Sequence, residues 1–282
     1  MPQQEPALSH SDGPRPASSL QSDAQPDSLP LDGAFPVTLS GVAACLLPQR
    51  AVWLPQRRAL LVADVHLGKA ASFRALGVPV PGGTTAATLA RLDTLVQSLA
   101  PDLLVVLGDL LHGPAAQQAG AVRALARWRA THARVDMVLV RGNHDDRAGD
   151  PPPECGIRAL DAPWPIGPLA LCHAPDDLVA SRPSGAASRS GGGAATRESE
   201  ASGASPHVLC GHLHPVVRLR GRSDALRLPC FWLRPGCTVL PAFGDFTGGA
   251  PVVAERHDVL VLTDGTRLYR LPAGGRVDTT AA

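Results

Sequence analysis

Five short apolar runs in this chain each stop abruptly at residues able to bind a metal ion. They are Ala59–Ala63 before Asp64, Leu103–Leu107 before Gly108-Asp109, residues 135–140 before Gly142-Asn143-His144, residues 169–172 before His173, and His207–Cys210 before Gly211-His212. A strand without polar interruptions belongs in a sheet covered on both faces, and the loops beyond its carboxyl edge then collect polar groups from distant parts of the sequence. Thr84–Leu99 and residues 115–132 have helical composition and spacing, so the first half reads as β-α-β-α-β. From 216 to 271, short β-like runs (216–219, 225–233, 238–240, Val259–Thr263 and 267–271) alternate with Gly, Pro and Asp turns. They predict a second, largely antiparallel sheet. The expected fold class is α/β, a layered α/β sandwich of two packed mixed β-sheets flanked by helices.

Residues 1–35 are rich in Pro, Ser, Gln and Asp without periodicity, and such a segment buries too little apolar surface to offset its ordering entropy. A disordered polar tail is expected there. Residues 181–206 are rich in Gly, Ser and Ala and predict a flexible insertion. The motifs on either side of it belong to one constellation, so residues 36–282 are read as one domain. The six cysteines form no CxxC pair and several lie inside apolar runs, as reduced core cysteines do. With 26 basic and 25 acidic side chains the net charge is +1, which excludes a global field toward polyanions or acidic membranes but leaves a local basic patch open. No apolar run approaches the roughly 20 residues that span a bilayer, and the amino terminus carries no signal-peptide pattern. A cytoplasmic chain without a membrane partner is expected, and the sequence sets no oligomeric state.

Taken singly, most of the motifs have ordinary readings. Alternate residues of an extended segment share a face, so Asp64 and His66 present two ligand-type side chains together, yet such a triplet alone reads as a solvated loop. Gly108-Asp109 alone reads as a turn or cap, and His173 alone as a core histidine. Gly142-Asn143-His144-Asp145 is rarer, since Asn143 is the only asparagine and the tetrad's chance expectation is on the order of 10⁻⁴. Gly211-His212-Leu213-His214 would offer two imidazoles to adjacent metals. Joint occurrence, each motif at the end of an apolar strand, outweighs the separate ordinary readings.

In this order the motifs resemble those of the calcineurin-like metallophosphoesterase superfamily, whose D-x-H, G-D, G-N-H-(D/E), H and G-H-x-H pattern is met by Asp64/His66, Gly108/Asp109, Gly142 to Asp145, His173 and Gly211 to His214. The resemblance spans about residues 37 to 271. Within the superfamily the chain is most similar to the bacterial DNA-ligase-associated branch, PdeM. That likeness rests on Asp64-Val65-His66-Leu67-Gly68-Lys69-Ala70 with Ser72-Phe73-Arg74, on residues 77–85, on Gly108-Asp109-Leu110-Leu111-His112, and on residues 240–249 (LPAFGDFTGG).

The resemblance implies a metallophosphoesterase fold and two divalent cations. One would be held by Asp64, His66, Asp109 and His214, the other by Asp109, Asn143, His173 and His212, with Asp109 shared. Such a pair activates a bridging hydroxide for in-line attack at phosphorus and clamps the phosphate oxygens. The mixed oxygen and nitrogen donors suit Mn²⁺, with Fe²⁺ or Zn²⁺ as alternatives. His144, directly after a ligand, is the expected general acid, and Asp145 the carboxylate that orients it. Lys69 and Arg74 follow the first ligand loop and, with His112, are the candidate substrate contacts. A solvated helix face is the equal alternative for the first two, and a simple loop position the stronger reading for His112. Arg123, Arg127 and Arg129 have helical spacing and are expected on an exposed face, while for Phe243 and Phe246 base stacking and core packing both stay open.

The activity so implied is hydrolysis of phosphodiesters, with DNA as the favoured substrate and DNA ligase or helicase repair proteins as partners. A small-molecule or cyclic-nucleotide phosphodiesterase would use the same residues. A non-catalytic interaction module on the same fold is the further alternative, and the complete ligand set argues against it.

Overall fold

The structure is a computed structural model that describes residues 32–113, 120–177, 205–220 and 224–271. Apart from residues 32–35 and 205–206, the expected tail and insertion lie outside the described residues.

The first sheet has seven strands in sequence order: β1 (Phe35–Leu39), β2 (Val42–Leu47), β3 (Ala51–Leu54), β4 (Ala59–Ala63), β5 (Leu103–Leu107), β6 (Asp136–Val140) and β7 (Ile157–Leu160). Pairing is antiparallel from β1 to β4 and parallel from β4 to β7. The sequence pattern located β4 to β6 but gave no sign of the amino-terminal meander β1 to β3. The second sheet runs β14-β11-β12-β13-β10-β9-β8, with β15 on β12 and β16 on β15. Its strands are β8 (Trp164–Ile166), β9 (Leu169–Leu171), β10 (His207–Cys210), β11 (Pro215–Arg220), β12 (Ala225–Arg234), β13 (Cys237–Val239), β14 (Ala250–Pro251), β15 (Val259–Thr263) and β16 (Leu268–Arg270). It is mixed, because β9, β10 and β13 pair in parallel at its centre.

Period-two alternation explains why the central strands read as unbroken apolar runs. In β4, Ala59, Leu61 and Ala63 face Leu171, Leu209, Phe231 and Val261 of the second sheet, forming the core between the sheets. The alternate residues Leu60 and Val62 pack under the helices instead. Those helices are α2 (Thr84–Leu99), which buries Leu89, Leu92, Leu95, Val96 and Leu99 on one stripe, and α3 (Ala121–Thr131), which buries Leu125 and Trp128. Each fully buried Leu contributes about 1.5–3 kcal/mol. Helix α2 stops at Ala100, before Pro101, because the residue preceding a proline is driven out of the helical region.

Arg129 departs from the expected exposed face. Arg123 and Arg127 are exposed, but Arg129 is buried, with Nε donating to the Cys155 carbonyl at 3.1 Å and Nη1 to the His132 carbonyl at 3.0 Å. It ties α3 to the turn before β7, a contact set by a neighbour distant in sequence.

Register brings the carboxyl ends of β4, β5 and β6 level, with Ala63 opposite Leu107 and Leu107 opposite Val140. Across the interface the Phe243 N–H donates to the Ala63 carbonyl at 2.8 Å and the Gly244 N–H to the Asp64 carbonyl at 3.1 Å. The loops that follow the strands of both sheets thus meet at one edge.

Candidate metal centre

All seven candidate ligands converge at that edge. Asp64, His66 and His214 each offer a ligand atom within 4.8 Å of one another, and so do Asp64, Asp109 and His173. The Asp109 carboxylate divides between the two groups, with Oδ2 3.7 Å from His66 Nε2 and Oδ1 3.6 Å from His173 Nε2. His214 Nε2 lies 3.3 Å from Asp64 Oδ1. On the other side, His173 Nε2 lies 3.0 Å from Asn143 Oδ1 and 2.9 Å from His212 Nδ1.

Backbone conformation carries the convergence. Among the described residues, nine besides glycine have positive φ, and five of these are Asp64, His66, Asp109, His212 and His214. Side chains disfavour that region, so it persists only where the surroundings enforce it. Here the enforcement is a set of hydrogen bonds between loops: His66 N–H to the Asp109 carbonyl at 2.8 Å, Leu67 N–H to the Leu110 carbonyl at 2.9 Å, and Gly211 N–H to the His173 carbonyl at 2.9 Å. Glycines permit the closeness. A Cβ at Gly108 would collide with the His173 ring, and one at Gly211 with the Asp64 carboxylate.

Unpartnered atoms test whether these residues fit a cation. Asp64 Oδ1, both ring nitrogens of His66 and His214 Nε2 are buried without a hydrogen-bond partner among the described residues. A buried polar group left so costs about 1–3 kcal/mol. Burial, followed by the charges of Lys69 and His214, pushes the His66 pKa far below the usual histidine range, which keeps its lone pair available. His173 Nδ1 faces the Leu107 carbonyl at 3.2 Å. A carbonyl only accepts, so Nδ1 is the donor and the Nε2 lone pair points toward Asn143 Oδ1, itself an acceptor. Acceptors facing one another and orphaned carboxylate and imidazole atoms are what a divalent cation would satisfy. The residues fit one.

The remaining candidates are placed differently. The His144 ring stands edge-on to His66 at 5.1 Å between centroids and stacks on His112 at 5.0 Å, and Phe73 also stacks on His112 at 6.3 Å. Burial, then Lys69 and His144, lowers the His112 pKa to about 4, so this ring is neutral. Lys69 opens the short helix α1 (Lys69–Ala75) and lines a cleft with His66 and Thr85. Its ammonium pKa is lowered by burial, against the favourable charges of Asp109 and Asp64. Arg74 is exposed and donates to the Pro81 carbonyl at 2.9 Å, closing the loop between α1 and α2. Phe243 is fully buried in the core, whereas Phe246 packs edge-on to Phe73 at 5.5 Å.

Asp145 corrects the expectation that it orients His144. It opens the short helix α4 (Asp145–Ala148) and is buried, and its carboxylate accepts the N–H groups of Asp109 at 2.7 Å, Gly142 at 2.9 Å and Leu110 at 3.0 Å. Burial raises its pKa to about 6 against the opposing effect of those bonds. The residue clamps the Asp109 and Asn143 loops to each other. Sequence reading also passed over Arg50, Arg91 and Arg227, which surround Asp245 and Gly249 beside His214. The only signal near them was the LPAFGDFTGG run itself.

A layered sandwich whose strand ends gather carboxylates and imidazoles beside open clefts defines a metal-dependent phosphoester hydrolase. The sequence profile described as calcineurin-like phosphoesterase matches residues 57–216, and the chain belongs to that family. Among solved structures it is similar to the nuclease MPE of Pseudomonas putida, at 39% identity and a TM-score of 0.66, with 84% of this chain and 100% of that chain covered. No curated protein matches the chain. Among the described residues, no helix is long and apolar enough to cross a membrane.

Proposed function

We propose that the protein is a two-metal phosphodiesterase that cleaves DNA, a member of the ligase-associated PdeM branch serving DNA repair in the cytoplasm. The observation that carries this reading is the divided Asp109 carboxylate, each oxygen aimed at a separate group of imidazoles. Asp64, His66 and His214 would hold one cation and Asn143, His173 and His212 the other, with Asp109 shared between them. When bound, paired divalent cations acidify water and neutralise charge on a phosphate undergoing displacement. Mn²⁺ suits this donor set, and Fe²⁺ or Zn²⁺ would also fit it.

The chain's own groups supply the rest. Asp145 fixes the distance between the Asp109 and Asn143 loops through three backbone N–H groups. His144, packed between His66 and His112, donates a proton to the leaving alkoxide. Lys69 places a cation beside the phosphate. DNA as substrate is supported by the nuclease neighbour, and a reducing compartment by the six free cysteines. DNA ligase or helicase proteins are the proposed partners.

The test is cleavage of single-stranded and gapped DNA beside an aryl phosphodiester, with Mn²⁺ present, on protein whose metal content has been measured. About two equivalents of metal and cleavage of DNA are expected. Activity confined to the aryl ester would return the centre to small-molecule phosphodiester chemistry.

A further inference from the structure

Besides the cleft beside Lys69, two further clefts adjoin the candidate metal centre, and their charges differ. One, of about 230 Å³, is lined by His214, Arg50, Arg227, Asp245 and Thr247, among others. It adjoins the first ligand group directly, since His214 belongs to both. The other, of about 350 Å³, adjoins the second group through Asn143, His173 and His212, and its walls carry Arg141, Asp146 and Asp177.

Cation exceeds anion in the first cleft. Asp245 is the one carboxylate among its lining residues, and its Oδ1 is already held by Arg91 at 2.5 Å. Arg91 also donates to the Phe243 carbonyl and lies over the Phe243 ring at 4.5 Å. Arg50, partly buried, is left with long contacts from Nη1 to the Ala242 carbonyl at 3.4 Å and the Gly244 carbonyl at 3.5 Å. Burial and the Arg91 charge both work against its ionised form, and Asp245 offsets them only in part. Arg227 reaches the rim from β12, exposed and donating to the Gly249 carbonyl. Two guanidinium groups, Arg50 and Arg227, thus line the cleft with one carboxylate, and that carboxylate is already paired with Arg91.

In the second cleft the balance is reversed. Arg141 is bound by Asp150 at 2.8 Å and Asp161 at 2.6 Å, and Asp146 and Asp177 add negative charge to the wall. An anion entering there would meet carboxylates.

We propose that the cleft between Arg50 and Arg227 is a subsite for the backbone phosphate next to the scissile one, so that the enzyme prefers a nucleic-acid strand to an isolated phosphodiester. The inference rests on the reading of the centre as a DNA phosphodiesterase. Guanidinium forks match phosphate oxygens and keep their charge when partly buried. A neighbouring phosphate would give Arg50 the anion that Asp245 cannot supply, and the acidic second cleft would set the direction in which the strand lies. An aryl phosphodiester has no second phosphate and cannot use the subsite.

The experiment compares trinucleotides of DNA carrying one uncharged methylphosphonate linkage, on either the 5′ or the 3′ side, with the all-phosphate trinucleotide. A methylphosphonate on the subsite side should lower kcat/KM of the parent enzyme about tenfold, the size expected for one charge-assisted contact in an open cleft. In Arg227→Ala, an exposed position chosen so that the fold survives, the same replacement should cost less than about twofold. Arg50→Gln should behave alike, and metal content checks that both variants keep the centre. Equal losses in parent and variant, or no loss in the parent with either trinucleotide, would overturn the subsite while leaving DNA cleavage standing. A parent that hydrolyses an aryl diester but no DNA would remove the underlying reading, and the subsite with it.

Discussion

Around Asp64 both ring nitrogens of His66 and Nε2 of His214 have no hydrogen-bond partner among the described residues, whereas beyond Asp109 the rings of His173 and His212 already meet at 2.9 Å. The first group is the more buried, with Asp64 and His66 almost wholly enclosed, while Asn143 and His212 are exposed. A cation entering the first group satisfies several orphaned atoms and, among the described residues, displaces no hydrogen bond at those atoms. One entering the second must part His212 from His173 and compete with water. Preorganisation therefore favours tight binding on the Asp64 side and exchange on the Asn143 side. On the two-cation reading, the carboxylate of Asp109 would couple the two.

The largest expected effect breaks both halves at once. Asp109→Ala should reduce turnover more than about a thousandfold and leave almost no bound metal by elemental analysis, because both groups lose an oxygen. Retention of one full equivalent would show that Asp109 is not shared. Next, His144→Ala should lower kcat by about 10²–10³ with metal content unchanged, since this ring touches the site without belonging to either ligand group. The halves themselves are compared by titrating Mn²⁺ into His66→Ala and His212→Ala while following turnover. The first should raise the half-saturating concentration at least about a hundredfold and the second about tenfold, since losing a ligand costs no less than the roughly 10–100-fold of losing a partner that orients one. The reverse order would contradict the tight and exchangeable assignment. The mildest change, Asp145→Ala, should leave ligand identity intact but lower stability by about 2–3 kcal/mol in urea unfolding, because three backbone N–H groups lose a buried acceptor.

What could be read from the sequence follows from how local each signal is. Strands β4, β5 and β10 were legible because both of their faces are covered, so burial leaves an unbroken apolar run that ends where the polar edge begins. The candidate ligands were legible for the same reason, each lying within a few residues of such an end. Strand β1 was not, since its burial alternates and Pro36 interrupts it, and the meander it opens carries no motif. Arg129 shares the spacing of its exposed neighbours, and only the turn ending at Cys155 decides that it is buried. Asp145 sits beside His144 in the chain, yet its oxygens are taken by loops 35 and 36 residues away. The arginine cleft was invisible because Arg50 and Arg227 come from opposite ends of the described chain.

The five left-handed residues at the centre have an evolutionary consequence. Each carries a conformational penalty of about 1 kcal/mol that glycine would avoid. Glycine at Asp64, His66, Asp109, His212 or His214 would relax the main chain and, on the proposed reading of the site, delete a candidate metal ligand in the same step. Selection for heat resistance and selection for turnover therefore pull in opposite directions at these positions, and a lineage adapting to high temperature must find its gains elsewhere in the molecule.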